Sequence, residues 1–215
     1  MVLGIYGSGG AGKEVKDIAE MLNKWSEIVF IDDTVDCDEY YGINRMPWND
    51  FTRRYPIDES EVVISIGEPG NKKILRDKIE IQGYSLTNII HPLAWVSPSA
   101  RIGNGVILRA GAIVNACAQI GNNTTLMEYS CVGHDTVVGS DCQISGLVIV
   151  GGHCKVGNSV YIGMSVPVKE KITIGDNSII GMGAVCSRDI ADKVVALGNP
   201  ARAIKKCDDN TRVFD

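Results

Sequence analysis

Residues 120–138 read IGNNTTLMEYSCVGHDTVV, and Ile120, Leu126, Val132 and Val138 stand six apart. The same spacing extends both ways without a miss: Ile90, Val96, Ile102, Leu108 and Val114 precede it, and Ile144, Val150, Val156, Ile162, Val168, Ile174 and Ile180 follow. A period of six is neither the 3.6 of a helix nor the 2 of a plain strand. It is the mark of a repeat architecture, the parallel β-helix. In a chain with 45% hydrophobic residues, sixteen consecutive aliphatic hits do not arise by chance.

The neighbouring positions agree. The residue after the aliphatic is often glycine (Gly103, Gly121, Gly133, Gly139, Gly151, Gly157, Gly163, Gly175, Gly181), read as a corner with unusual backbone angles. Two positions before the aliphatic the residue is small or β-branched (Ala112, Ala118, Thr124, Ser130, Thr136, Cys142, Cys154), as suits a second inward row in a narrow tube. No insertion breaks the register, so any site must come from the faces, the N-terminal region or a second subunit.

Before Ile90 the periodicity changes. Val2–Tyr6 reads as a strand, Gly7-Ser8-Gly9-Gly10-Ala11-Gly12 as a loop, and Val15, Ile18, Ala19 and Leu22 as a helix face. Glu27–Ile31 is a second strand ending in Asp32-Asp33, Glu61–Ile66 a third, and Leu86–Ile90 a fourth that runs into the repeat; a helix is expected over 71–82. Strands alternating with helices imply a small parallel sheet. The expected organisation is an α/β Rossmann-like domain over 1–89, an all-β parallel β-helix over 90–187, and a capping tail over 188–215.

Gly7, Gly9 and Gly12 satisfy GxGxxG between a strand and a helix, where unpaired N–H groups at the positive end of the helix dipole can hold a phosphate. Asp32 or Asp33 then stands where a ribose hydroxyl is accepted. The sheet is too short for two mononucleotide halves, which disfavours an NAD-linked oxidoreductase. A net charge of −5 argues against a nucleic-acid partner, and no apolar run is long enough to span a bilayer, so a cytoplasmic protein is expected. Seven cysteines without a CxxC pair signal neither a disulfide framework nor a zinc cluster, and no metal is expected.

A GxGG loop domain followed directly by such a repeat resembles the bacterial sugar acetyltransferases with a left-handed β-helix built from hexapeptides. The resemblance rests on Ile5-Tyr6-Gly7-Ser8-Gly9-Gly10, Phe30-Ile31-Asp32-Asp33, Ile90-His91-Pro92, Val132-Gly133-His134-Asp135 and Gly198-Asn199-Pro200-Ala201-Arg202. It implies acetyl-CoA as co-substrate, a nucleotide-linked amino sugar as acceptor, and a homotrimer.

The resemblance also implies roles by position. His134 would be the general base, since imidazole titrates near neutrality, with Asp135 holding its tautomer. Gly152, one eighteen-residue coil further on, would offer its amide to the thioester oxygen. Gly7, Ser8, Gly9, Gly10, Asp32 and Asp33 would hold the nucleotide sugar, with Glu128 available to the sugar ammonium. Gln143, Gly152, Gly163, Gly181, Gly183, Ala184, Asn199 and Pro200 would line the coenzyme A groove. His91 is read as a linker residue and His153 as solvated surface. The chain departs from its relatives at Gln143, where some have a second histidine, and at Met127-Glu128, where many have Asn-Thr. The expected activity is N-acetylation of a nucleotide-linked 4-amino-4,6-dideoxy sugar. Alternatives are O-acetylation, as of sialic acid, and a non-catalytic nucleotide-sugar-binding trimer.

Overall fold

A computed structural model describes residues 1–208 and 211–214. Positions 209, 210 and 215 of the expected tail lie outside the described residues.

The N-terminal part is a six-stranded sheet in the order β3-β4-β2-β1-β5-β6, with β1 Val2–Tyr6, β2 Glu27–Ile31, β3 Asp38–Tyr40, β4 Ile43–Met46, β5 Ser60–Ile64 and β6 Ser85–Leu86. Helices α1 (Gly10–Leu22), α2 (Trp48–Arg54) and α3 (Pro69–Ile81) complete it. Apolar runs place β1 at the centre, between parallel β2 and β5, with Leu3, Ile5, Val29 and Val63 fully buried. The hairpin β3–β4 and helix α2 had no clear periodic signal. The expected strand Leu86–Ile90 is two strands instead. It breaks at Thr87-Asn88, because Ser85–Leu86 pairs with β5 while Ile89–Ile90 opens the repeat. Asn88 makes that turn by donating to the Gly103 carbonyl and accepting from the Val106 amide.

From Ile89 the chain winds as a left-handed parallel β-helix with three flat faces, each made of two-residue strands. The first face stacks Ile89–Ile90, Ile107–Leu108, Thr125–Leu126, Gln143–Ile144, Tyr161–Ile162 and Ile179–Ile180, each paired to the one eighteen residues on. The second carries Trp95–Val96 through Pro167–Val168, the third Arg101–Ile102 through Thr173–Ile174. The strands Val194–Leu197 and Arg202–Lys206 extend the first face at the C-terminal end.

Thirteen of the sixteen aliphatics, Leu108 to Ile180, are buried in one core, and Ile90, Val96 and Ile102 at the open end pack against it. The second inward row is equally dry, and its polar members are satisfied inside. Thr136 donates to the Gly151 carbonyl, and the Cys142 thiol to that of Gly157. Burial pushes the Cys142 thiol up to about 12, so it packs as a neutral group.

Contrary to the expectation, the glycine row does not mark unusual backbone angles. None of those nine glycines has a positive φ. The left-handed residue falls two positions later, as at Cys117, Asn123, Asp135, Asp141 and His153. Glycine follows the aliphatic because the next coil stacks on it: a Cβ on Gly121, Gly133 or Gly163 would lie 2.5–2.6 Å from backbone atoms of that coil.

The two parts share a buried seam against the first face. Ile89 and Ile107 join the core that holds Leu3, Ile5 and Val15. Lys72 of α3 is fully buried and donates to the Thr125 hydroxyl at 2.8 Å, while Asn123 donates to the Lys72 carbonyl. Arg76 makes two 2.9 Å hydrogen bonds to the buried Asp141, and that carboxylate holds its guanidinium well above the usual range.

Candidate functional site

Each coil turns at three corners, and the corner after the second face holds His134 and Asp135. Val132 points inward and anchors Gly133-His134-Asp135, which leaves the His134 side chain 59% exposed. The left-handed backbone at Asp135 turns its carboxylate back, and Oδ2 stands 2.8 Å from His134 Nδ1. Nε2 is the ring nitrogen that the carboxylate leaves free. One coil on, a Cβ at Gly152 would fall 2.7 Å from that Nε2, so the imidazole occupies the space that glycine leaves.

The Gly152 amide is also open. At the corner after the third face, the equivalent amides of Asn104, Ser140, Asn158 and Asp176 are capped by side-chain oxygens of Asn122, Asn158, Asp176 and Asp192. Among the described residues nothing accepts from the Gly152 N–H. An unpaired donor thus stands beside an imidazole whose Nε2 the carboxylate leaves free. His153 is exposed, as expected, but it also packs edge-on to His134 at 5.0 Å, with Nε2 3.9 Å from Asp135 Oδ2.

A second region lies between the glycine loop and the first face. A cavity of about 630 Å³ is lined by Gly10, Ala11 and Glu14 of α1, Ser65 and Gly67 after β5, Arg109, Thr125, Met127, Gln143 and Tyr161 on the coils, and Phe214. The loop glycines divide by cause. Gly7 has φ +106°, and a Cβ on Gly12 would sit 2.1 Å from the Gly7 carbonyl oxygen, so the turn demands both. Gly9 and Gly10 have nothing within 4 Å of a Cβ. Gly9 caps α1 with no side-chain hydrogen bond, which leaves the first-turn amides free for an anion.

Asp32 and Asp33 are less available than expected. Asp33 accepts from the Trp48 amide, the Tyr6 hydroxyl and Lys78, a junction of β1, α2 and α3. Asp32 accepts from Ser8 and Thr34. Burial raises both carboxyls, but these donors outweigh it and hold them below the usual range. Glu128 is tied to Arg109 at 3.1 Å, and Arg109 also pairs with Glu14. The buried Arg109 was missed in the sequence, though an arginine where the repeat usually has glycine was a visible signal.

One chain does not bring these groups together. None of His134, Asp135, Gly152 and His153 lines the cavity. Gly163, Gly181 and Gly183 lie at the corner after the first face, with Ala184 buried in the tube, so Ala184 can present only backbone. Asn199-Pro200 follows the strand Val194–Leu197. That is a different edge from the His134 corner.

Residues 2–79 match the family described as the PglD N-terminal domain. Perosamine N-acetyltransferase from Caulobacter crescentus, solved as a histidine-to-asparagine variant with CoA and GDP-perosamine, superposes with a TM-score of 0.90 at 28% identity, covering 96% of this chain and 98% of that one. The acetyltransferase domain of PglB from Neisseria gonorrhoeae, in complex with acetyl coenzyme A, gives 0.90 at 28% identity over 94% and 98%. The fold and these likenesses define a transferase of the hexapeptide-repeat acyltransferase class. Within it the chain is similar to sugar acetyltransferases, and its residues 2–79 match the PglD N-terminal domain; WeeI from Acinetobacter baumannii also matches, at 0.89 and 27% identity over 95% of this chain and all of that one.

Proposed function

We propose that the protein is an acetyl-CoA-dependent N-acetyltransferase acting on the 4-amino group of a nucleotide-linked 4-amino-4,6-dideoxy sugar, in the cytoplasm and as a homotrimer. The relatives crystallised with CoA and GDP-perosamine support a nucleotide amino sugar as acceptor. The observation that carries the chemistry is the packing of Gly152, whose amide is open, against the His134 ring, with Nε2 2.7 Å from where a Cβ would lie.

The sugar amine attacks the thioester carbonyl carbon. His134 Nε2 takes the proton that the amine loses, while Asp135 at Nδ1 stabilises the imidazolium. The carbonyl oxygen gains charge and accepts from the Gly152 N–H, a type of contact worth several kcal/mol when its donor is preorganised. Collapse breaks the carbon–sulfur bond, and the departing thiolate recovers the proton from His134. No covalent enzyme intermediate is needed, because the thioester is already activated. The α1 N-terminus with Gly9 and Gly10 holds the diphosphate, Ser8 and Asp32 the ribose side, and Gln143, Arg109 and Glu128 border the sugar pocket. Asp33 serves the fold.

The character of the three faces supports a trimer. Outward residues of the first face lie under the N-terminal domain, and those of the third are largely polar (Arg101, Gln119, Lys155, Thr173). The second face exposes Trp95, Ile113 and Ile149, an apolar strip of the kind that interfaces bury. Packing it around a threefold axis sets the His134 corner of one chain against the cavity of the next. Gly163, Gly181, Gly183, Asn199 and Pro200 then serve coenzyme A from the neighbouring edge.

The test is release of free thiol from acetyl-CoA with GDP-, UDP- and dTDP-linked 4-amino sugars and with free sialic acid. Turnover with an amino sugar that is lost in a folded His134→Ala protein supports the assignment. An unchanged rate in that variant sinks it.

A further inference from the structure

We propose that His134, Asp135 and His153 form a binding site for a divalent first-row transition-metal ion, with zinc as its probe, and that the ion turns the acetyl-transfer site off. The inhibitory half of this rests on His134 being the base; the binding half does not.

Three observations converge. One donor atom from each residue lies within 4.8 Å of the other two. Asp135 Oδ2 stands between the imidazoles, 2.8 Å from His134 Nδ1 and 3.9 Å from His153 Nε2. The two rings come from adjacent coils whose backbones are tied by the His153 N–H to the His134 carbonyl at 2.9 Å. A zinc ion with bonds of about 2.0–2.2 Å to nitrogen and oxygen holds its donors roughly 3–3.5 Å apart. Rotations of three exposed side chains close the remaining gap, while the coil supplies the preorganisation. Two imidazoles and one carboxylate favour zinc, copper or nickel over magnesium or calcium, which prefer all-oxygen shells.

Binding and catalysis exclude each other. An ion on His134 Nδ1 leaves the ring proton on Nε2, where no lone pair then faces the acceptor. An ion on Nε2 blocks that nitrogen outright. The ion is therefore an inhibitor, and acetyl transfer itself needs none. Two other groups at this corner bear on the site. Lys171 follows His153 in its column, and the exposed Cys117 thiol precedes Asp135 in the same column as a rival ligand.

The experiment compares wild type, His153→Asn and Cys117→Ser, all stripped with a chelator. Asparagine tolerates the left-handed backbone that His153 adopts, so the first variant keeps its fold. Zn²⁺ is titrated calorimetrically, Co²⁺ is followed by its absorption, and acetyl transfer is measured with and without Zn²⁺. The expected wild type binds one more ion than His153→Asn, shows cobalt bands without thiolate charge transfer, and is inhibited reversibly by Zn²⁺. The His153→Asn protein keeps its metal-free rate and needs at least about tenfold more Zn²⁺ for the same inhibition, the loss that removing even an outer partner of a metal ligand brings. Equal zinc responses in wild type and His153→Asn overturn the proposal, as does a response that disappears in Cys117→Ser. A wild type that transfers no acetyl group in the absence of metal overturns the base assignment instead, and the binding titration still decides the metal site.

Discussion

The Cβ that Gly152 lacks would sit 2.7 Å from Nε2 of His134, closer than a carbon can approach a ring nitrogen. Gly152 has no left-handed backbone requirement, so the coil tolerates alanine there and the imbalance falls on the imidazole. Gly152→Ala is expected to fold, since an exposed ring can turn away, yet to misplace the proposed base and oxyanion donor together. A fall in kcat/KM of about 10²-fold or more is expected, with thermal unfolding little changed. Wild-type kinetics in that variant would remove the stacked pair from the mechanism.

The glycine loop separates into two experiments. Gly12→Ala forces a Cβ to 2.1 Å from the Gly7 carbonyl and is expected to destabilise the N-terminal domain by about 1–3 kcal/mol, read by chemical denaturation. Gly10→Ala meets open space inside the first turn of α1, where alanine is the better helix former by up to about 1 kcal/mol. Its effect belongs on KM for the nucleotide sugar. If Gly10→Ala unfolds the protein while Gly12→Ala does not, the division of the loop is wrong.

Much of this was legible in one dimension because the β-helix writes its geometry locally. Val132 fixes which way His134 points, and eighteen residues fix what lies above it. Three things were not legible. Short polar elements such as Asp38–Tyr40 and Trp48–Arg54 carry no period. The pairing of Arg109 with Glu14 depends on how α1 docks on the first face. The contact of His153 with Asp135 depends on side-chain turns that a register of backbones does not encode. The glycine row shows a different limit: its positions were plain, but its cause lies in the neighbouring coil.

Lys72 should make stability depend on pH. Its ammonium is fully buried with a single hydroxyl acceptor, and burial pulls its pKa down from 10.5 to about 8. The unfolded chain therefore binds the proton more tightly. The penalty is complete below about pH 8, shrinks as pH rises, and vanishes above about 10.5, a span worth roughly 3 kcal/mol. Lys72→Met removes it at similar volume. The variant is expected to exceed wild type in stability at pH 7, with an advantage that narrows toward pH 10. An advantage that is flat across this range, or widens, contradicts the assignment.

Arg76 holds the seam from its exposed side, and its loss strands a carboxylate. Asp141 is 1% exposed and, among the described residues, its carboxylate keeps only the Asn123 amide once the guanidinium is gone. Arg76→Leu is expected to cost about 3–5 kcal/mol, as breaking one side of a buried pair does. The double variant Arg76→Leu with Asp141→Asn should recover part of it. Additive losses in the cycle would mean that the two residues act independently.

The His134 corner and the glycine-loop cavity are separate on one chain, so the proposed mechanism makes assembly itself a catalytic requirement. Ile149, exposed on the apolar second face between the strands of Cys131 and Pro167, is the position where a charge should prevent packing. Ile149→Glu is expected to be a folded monomer by light scattering and circular dichroism, without acetyl transfer. Complementation then tests composition directly. His134→Ala lacks a base but keeps the loop, and Gly10→Glu repels the diphosphate but keeps the base. Each alone is expected to be inactive. Unfolded and refolded together, they form mixed trimers in which an intact His134 corner meets an intact loop across one interface, and part of the activity returns. If the mixture stays inactive while trimers reassemble, both halves of the site belong to one chain.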